Sequence, residues 1–108
     1  MKPLKNMKSS LWIAALVALG AGSAWADGAA ALTKGGCMAC HTKDKKLVGP
    51  AFKDIAAKYK GQDVSAKLFD KVRKGGAGVF GPIPMSPNGP DKIGDTDLKE
   101  AIEFILKS

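Results

Sequence analysis

All the thiol and imidazole groups of this 108-residue chain lie within five consecutive residues, Cys37, Met38, Ala39, Cys40 and His41. Two thiols three positions apart serve redox dithiols, zinc sites and covalent attachment of a prosthetic group, and an imidazole directly after the second thiol narrows the choice. C-x-x-C-H is the attachment motif of c-type haem. The thiols add across the two vinyl groups of the porphyrin, so their spacing must match the ring edge, and the next residue is carried to where its imidazole can bind iron. On this reading Cys37 and Cys40 hold one haem by thioether bonds and His41 is the proximal iron ligand.

The competing chemistries fit the inventory less well. A structural zinc site needs four ligands, and beyond His41 the chain offers only these two cysteines. A thioredoxin-like dithiol expects a βαβ setting, which the patterning described below does not contain. A disulfide between Cys37 and Cys40 stays open for an exported chain, although it would close a tiny loop.

Porphyrin iron has two axial positions, and His41 fills one. With no second histidine and both thiols consumed, the remaining soft donors are methionines. Met38 sits between the anchoring thiols and cannot cross to the opposite face of the ring, while Met1 and Met7 belong to the leader identified below. Met85 is therefore the candidate sixth ligand. A lone methionine is ordinarily packing material, but Met85 lies between Pro84 and Ser86, where no helical face needs filling. A proline-braced loop can present sulfur at a fixed position and so lower the entropic cost of ligation.

The elements that must position these groups begin with a segment to set aside. Lys2, Lys5 and Lys8 form a positive region, Leu11 to Ala21 is an apolar run, and Ala24-Trp25-Ala26 has the small-x-small pattern that signal peptidase cuts. The apolar run is about half the roughly 20 residues a bilayer span requires. Residues 1–26 are thus expected to be a cleaved signal peptide, and 27–108 a single small domain. Loss of the three leader lysines lowers the formal charge from +7 to a mild +4. That excess suits transient contact with acidic partners rather than a grip on nucleic acid.

A domain of this length buries little surface and commonly recruits a disulfide, a metal or a cofactor to complete its core. Its pattern is all-helical. Ala29 to Cys40 can form a helix bringing Cys37 onto its last turn, despite Gly35 and Gly36. Phe52, Ile55, Ala56 and Tyr59 recur at helical spacing, with Pro50 suited to the first turn and Gly61 to the stop. A third helix has Asp63 as its cap, Val64, Leu68 and Val72 facing inward, and Gly75 at its end. The fourth opens at Asp95 to Asp97, where Asp97 and Glu100 have capping-box spacing, and buries Leu98, Ile102 and Ile105. Between the last two lie residues 75–91, with five glycines and four prolines. So long a loop in so small a domain is expected to wrap something or do chemistry.

The ordered set GCMACH, LVGPAFKDIAAKYKGQ, GPIPMSPN and a terminal helix resembles the small bacterial class I monohaem cytochromes c of the c-551/c-552 group, over essentially the whole mature chain. The resemblance implies about four short helices wrapped around one covalent haem. It implies that the Pro50 carbonyl accepts the second ring N–H of His41, and that Asn88 donates a hydrogen bond to the Met85 sulfur. Two positions depart from the pattern: Phe80 stands where the group usually has tryptophan, and Lys71 where it often has arginine.

The expected function is one-electron transfer in the periplasm, not catalysis. The resemblance implies redox proteins as partners: a respiratory complex as donor, and a reductase, oxidase or cytochrome peroxidase as acceptor. The mature protein is expected to be a monomer with no stable membrane insertion and no nucleic acid. Lys34, Lys43, Lys45, Lys46 and Lys74 cluster in sequence near segments expected to frame the haem edge, where they could steer acidic partners. If Met85 does not bind iron, the alternative is a small haem peroxidase or a gas-binding haem protein.

Overall fold

The computed structural model describes residues 23–108. The expected leader, 1–26, falls almost entirely outside them. The described residues form four α-helices and no strand: α1 (Ser23–Lys34), α2 (Phe52–Lys58), α3 (Ser65–Lys74) and α4 (Asp95–Leu106). Among them no helix is long and apolar enough to cross a membrane.

α1 stops at Lys34 instead of continuing to Cys40. Gly35 donates to the Ala31 carbonyl and Gly36 turns into the left-handed region at φ 77°, a conformation that glycine adopts without strain. The chain then makes one 3-10 turn, Cys37–Ala39, so the thiols ride on a tight turn after the helix and not on its last turn. α2 opens after Ala51, which places Pro50 just outside the helix rather than in its first turn. Two of the N–H groups that a helix start leaves unpaired find carbonyls across the chain: Phe52 donates to Thr42 over 2.9 Å and Lys53 to Lys43 over 3.1 Å. The beginning of α2 is thereby stitched to the segment that follows His41.

The expected side-chain caps do not form. α3 begins after Val64, and Asp63 makes no capping bond. α4 begins after Gly94, with Asp97 inside its first turn and no capping bond from a side chain. The acidic groups at this end face basic partners instead, Asp95 toward Arg73 and Asp97 toward Lys34. The expected stop at Gly75 (φ 72°) is present, whereas α2 ends earlier than expected, at Lys58 with Tyr59 as its cap, and Gly61 (φ 79°) turns two residues beyond.

The core lies where α1 and α4 cross, built from Ala31, Leu32, Phe52, Ile93, Leu98, Ala101 and Ile102, with Ile55, Leu68, Phe69 and Val72 packed against it. The close approach is made possible by Gly28: a Cβ there would stand 2.7 Å from both the Glu100 carbonyl oxygen and the Phe104 Cβ. α2 and α3 pack on the same helix α4. Two segments are thereby held on this frame, 35–51 before α2 and 75–94 between α3 and α4.

Candidate haem site

The 3-10 turn is closed by the Cys37 carbonyl, which accepts from Cys40 N–H over 3.2 Å and His41 N–H over 3.1 Å. No disulfide joins the two cysteines. Cys37 is half-buried against the core, and burial pushes its thiol pKa up, because a thiolate there would lose hydration. Cys40 is exposed. The chain returns past the turn through a small loop in which Thr42 Oγ1 donates to the Lys45 carbonyl (2.6 Å) and accepts from Lys45 N–H (2.9 Å). Gly49 N–H then donates to the Cys40 carbonyl over 2.8 Å, bringing Gly49 and Pro50 alongside His41.

His41 is only 9 % exposed. Its ring stacks on Phe52 with centroids 5.4 Å apart and planes 19° from parallel. Nδ1 lies 2.7 Å from the Pro50 carbonyl oxygen. A carbonyl only accepts, so Nδ1 carries the proton and donates, leaving the Nε2 lone pair available. Among the described residues Nε2 has no hydrogen-bond partner. Gly49 completes the cradle: a Cβ there would fall 2.5 Å from Cε1 and 2.9 Å from Nδ1 and Nε2. A buried imidazole with one nitrogen anchored and the other unpartnered is the arrangement of a metal ligand, oriented and made a better donor by its carbonyl contact.

Met85 is half-buried in the second segment and exchanges both backbone hydrogen bonds with Gly76, each 2.9 Å. The loop lies so close to the end of α3 that a Cβ on Gly75 would collide with the Met85 carbonyl. Asn88 N–H donates to the Val72 carbonyl over 3.0 Å. Its side-chain amide donates to the Ser86 carbonyl over 2.9 Å and, weakly, to Val72 over 3.4 Å. In this structure Asn88 therefore braces the loop through carbonyls. Arg73 adds a bond from Nη1 to the Asn88 carbonyl over 3.1 Å.

The site residues thus form two groups. Cys37, Cys40, His41 and Pro50 are one hydrogen-bonded unit, and Met85 with Asn88 is another tied to α3; no hydrogen bond joins the two among the described residues. Both carry apolar side chains that the chain leaves uncovered: Leu47 and Val48 are 48 % and 52 % exposed, and Val79, Phe80 and Ile83 are 45 %, 40 % and 55 % exposed. No group of three or more His, Cys, Asp or Glu side chains suited to a metal ion occurs among the described residues. One imidazole, two thiols and one thioether, with flanking apolar surface, fit an iron porphyrin held by covalent bonds.

Nothing in the sequence by itself marks Gly49, Phe52 or Arg73 as site residues, although Gly49 and Phe52 lie in the LVGPAFKDIAAKYKGQ stretch. The lysine set divides: Lys34 and Lys74 face Asp97 (3.9 Å) and Asp70 (3.1 Å), whereas Lys43, Lys45 and Lys46 are exposed in the loop after His41. Lys58 sets its ammonium 5.7 Å from the Phe80 ring centroid.

Comparison with known proteins agrees with this reading. Residues 25–108 match the family model described as Cytochrome c. The chain is 47 % identical over 94 residues to cytochrome c-552 of Nitrosomonas europaea, covering 86 % of this chain and 88 % of that one. It is 48 % identical over 77 residues to cytochrome c2 of Rubrivivax gelatinosus, covering 70 % and 91 % respectively. The crystal structure of the Nitrosomonas europaea cytochrome c552 superposes with a TM-score of 0.66 at 44 % identity, covering 73 % of this chain and 96 % of that chain. With this all-α class I fold and the C-x-x-C-H turn, the chain belongs to the cytochrome c family, electron-transfer proteins that carry a covalently attached c-type haem.

Proposed function

We propose that the chain is a periplasmic one-electron carrier whose haem iron is ligated by His41 and Met85, formed after removal of residues 1–26 as a signal peptide. The observation that carries this reading is the His41 ring, buried, bonded through Nδ1 to Pro50 and unpartnered at Nε2. Cys37 and Cys40 would supply the two thioether bonds, and Pro50 the carbonyl that holds the imidazole in the ligating tautomer.

When bound, the haem supplies an iron that alternates between ferrous and ferric states. With His41 and Met85 as its ligands the iron would favour the ferrous state relative to two nitrogen ligands, so a comparatively high potential is expected. The chain's own residues would orient the donors: Phe52 and Gly49 pack the imidazole, and the Gly76 pairing holds the Met85 backbone. Donation from Asn88 to the Met85 sulfur would use the N–H now directed over 3.4 Å at Val72, the weaker of its two side-chain bonds. The partners fitting this role are redox proteins, a respiratory complex on the donor side and a reductase, oxidase or cytochrome peroxidase on the acceptor side, met by a monomer. The exposed Lys43, Lys45 and Lys46 would favour acidic docking faces, with encounter rates that fall as salt rises.

The test is an optical spectrum of the ferric protein with a potentiometric titration, set beside Met85→Ala. Wild type should show the weak far-red band of an iron–thioether bond, and the variant should lose it and take up carbon monoxide promptly when reduced. A wild-type protein that lacks the band and binds carbon monoxide readily would shift the assignment to a small haem peroxidase or a gas-binding protein.

A further inference from the structure

We infer that Arg73 is a positioning residue for the Met85 ligand, holding the downstream flank of its loop through two backbone carbonyls. The inference rests on the reading of Met85 as an iron ligand. Arg73 lies in the last turn of α3 with its side chain only 15 % exposed. Its Nη1 donates to the carbonyls of Asn88 (3.1 Å) and Ile93 (2.7 Å), and Nη2 donates to Asp95 (2.5 Å). The guanidinium carbon stands 5.0 Å from the centroid of the Phe69 ring. A single cation thus fastens three places to α3: the residue three positions beyond Met85, the approach to α4, and the first turn of α4.

Met85 itself is pinned upstream by its reciprocal bonds to Gly76. Between that pairing and the Arg73 contact at Asn88 only Ser86 and Pro87 intervene. A thioether is a weak, neutral ligand, so its hold on iron depends on how little freedom the loop must surrender on binding. Removing Arg73 leaves the downstream flank tied mainly by Asn88 to Val72 and frees the segment that leads to α4. Lysine is no equivalent, because a planar fork serves a bifurcated pair of carbonyls and a carboxylate together, whereas an ammonium offers a point charge.

The arms of the fork are separable. Asp95 is exposed, its side chain 69 % accessible, and an ion pair there is screened by water. The carbonyl bonds are part-buried, and leaving those oxygens without a donor is the costly change. The loop-holding function is accordingly assigned to the carbonyl arms.

The experiment is a titration of the purified, haem-loaded ferric protein with imidazole, which competes for the position opposite His41, read together with the far-red band. Arg73→Met keeps an unbranched apolar side chain at the position and removes every donor, together with the guanidinium that stands over Phe69. It should bind imidazole about tenfold more tightly than wild type, the scale of one lost hydrogen bond to a charged group. Asp95→Asn should stay within about twofold of wild type, as expected for an exposed pair. A merely structural role would lower the melting temperature of Arg73→Met and leave its imidazole affinity in the folded state unchanged, and that result overturns the inference. A change in Asp95→Asn as large as that in Arg73→Met also overturns it. Where Arg73→Met does not fold, Arg73→Lys decides by the same criterion: wild-type imidazole affinity refutes the clasp. Met85→Ala separates the two readings. If it binds imidazole no more tightly than wild type, the ligand assignment fails and the clasp with it; if it binds more tightly while the Arg73 variants match wild type, the clasp alone fails.

Discussion

Gly49 shows how closely the imidazole is fitted, because the space its side chain would occupy belongs to the His41 ring. An alanine methyl there would stand 2.5 Å from Cε1, well inside contact distance, and neither Phe52 on the stacked face nor the 2.7 Å bond to Pro50 leaves the ring an easy retreat. Gly49→Ala is therefore expected to cost about 1–3 kcal/mol, as overpacking of a dense site does. The loss should appear as a lower melting temperature of the haem-loaded protein together with a shifted midpoint potential. An unchanged potential would mean that the ring turns aside at no cost to the iron ligation proposed for it. The residue types that carry the chemistry were legible in the sequence, since two thiols and an imidazole at fixed spacing state their own requirement. Gly49 and Phe52 were not legible as imidazole contacts, because their roles depend on what the fold brings against them and not on what they are. Pro50 and Asn88 entered through resemblance; the carbonyl of the former meets His41, and the amide of the latter faces Ser86 and Val72.

At the scale of elements, the crossing of α1 and α4 carries the frame, and it depends on the absence of a side chain at Gly28. A Cβ there meets the Glu100 carbonyl and the Phe104 Cβ at 2.7 Å, both attached to the rigid body of α4. Gly28→Val should force the helices apart and lower stability by about 1–3 kcal/mol or more, the range for small-to-large changes in packed interfaces. The midpoint of denaturant unfolding measures it, and a midpoint equal to wild type would show that the crossing is looser than drawn. Helical periodicity found α2, α3 and α4 because apolar side chains at i, i+3 and i+4 face a common core. The ends were less legible. Asp63 and Asp97 had the chemistry of caps, yet whether an acidic side chain turns back on its own helix or faces a neighbour depends on the neighbour, and Lys34 and Arg73 stand at the start of α4. The sequence pattern carries α1 on through Gly35 and Gly36 to Cys40, since each glycine by itself is only a modest helix cost. The left-handed turn at Gly36 ends it instead and gives the thiols a turn of their own.

For the whole molecule the distribution of apolar surface matters more than its amount. The buried cluster sits on the α1–α4 side and includes two alanines among its seven residues, while Leu47, Val48, Val79, Phe80 and Ile83 stand 40–55 % exposed on the two segments that hold His41 and Met85. Short domains rarely reach stability on such a core alone. A group that binds the folded chain and not the unfolded one adds its binding free energy to folding. Covalent haem would do so twice over, by covering those side chains and by linking the Cys37 turn to the Met85 loop, which share no hydrogen bond among the described residues. The haem-free variant Cys37→Ala/Cys40→Ala is thus expected to be largely unfolded at room temperature, with most of the helical far-ultraviolet circular dichroism lost and no cooperative thermal transition. Because α1 and α4 pack on each other directly, residual helicity should be confined to that pair, and amide exchange should find the little protection that remains at Leu32, Leu98 and Ile102 and none in 75–91. A native-like dichroism spectrum with a cooperative melt from the same variant would show that the α1–α4 core suffices, and that haem is cargo of a finished fold rather than part of it.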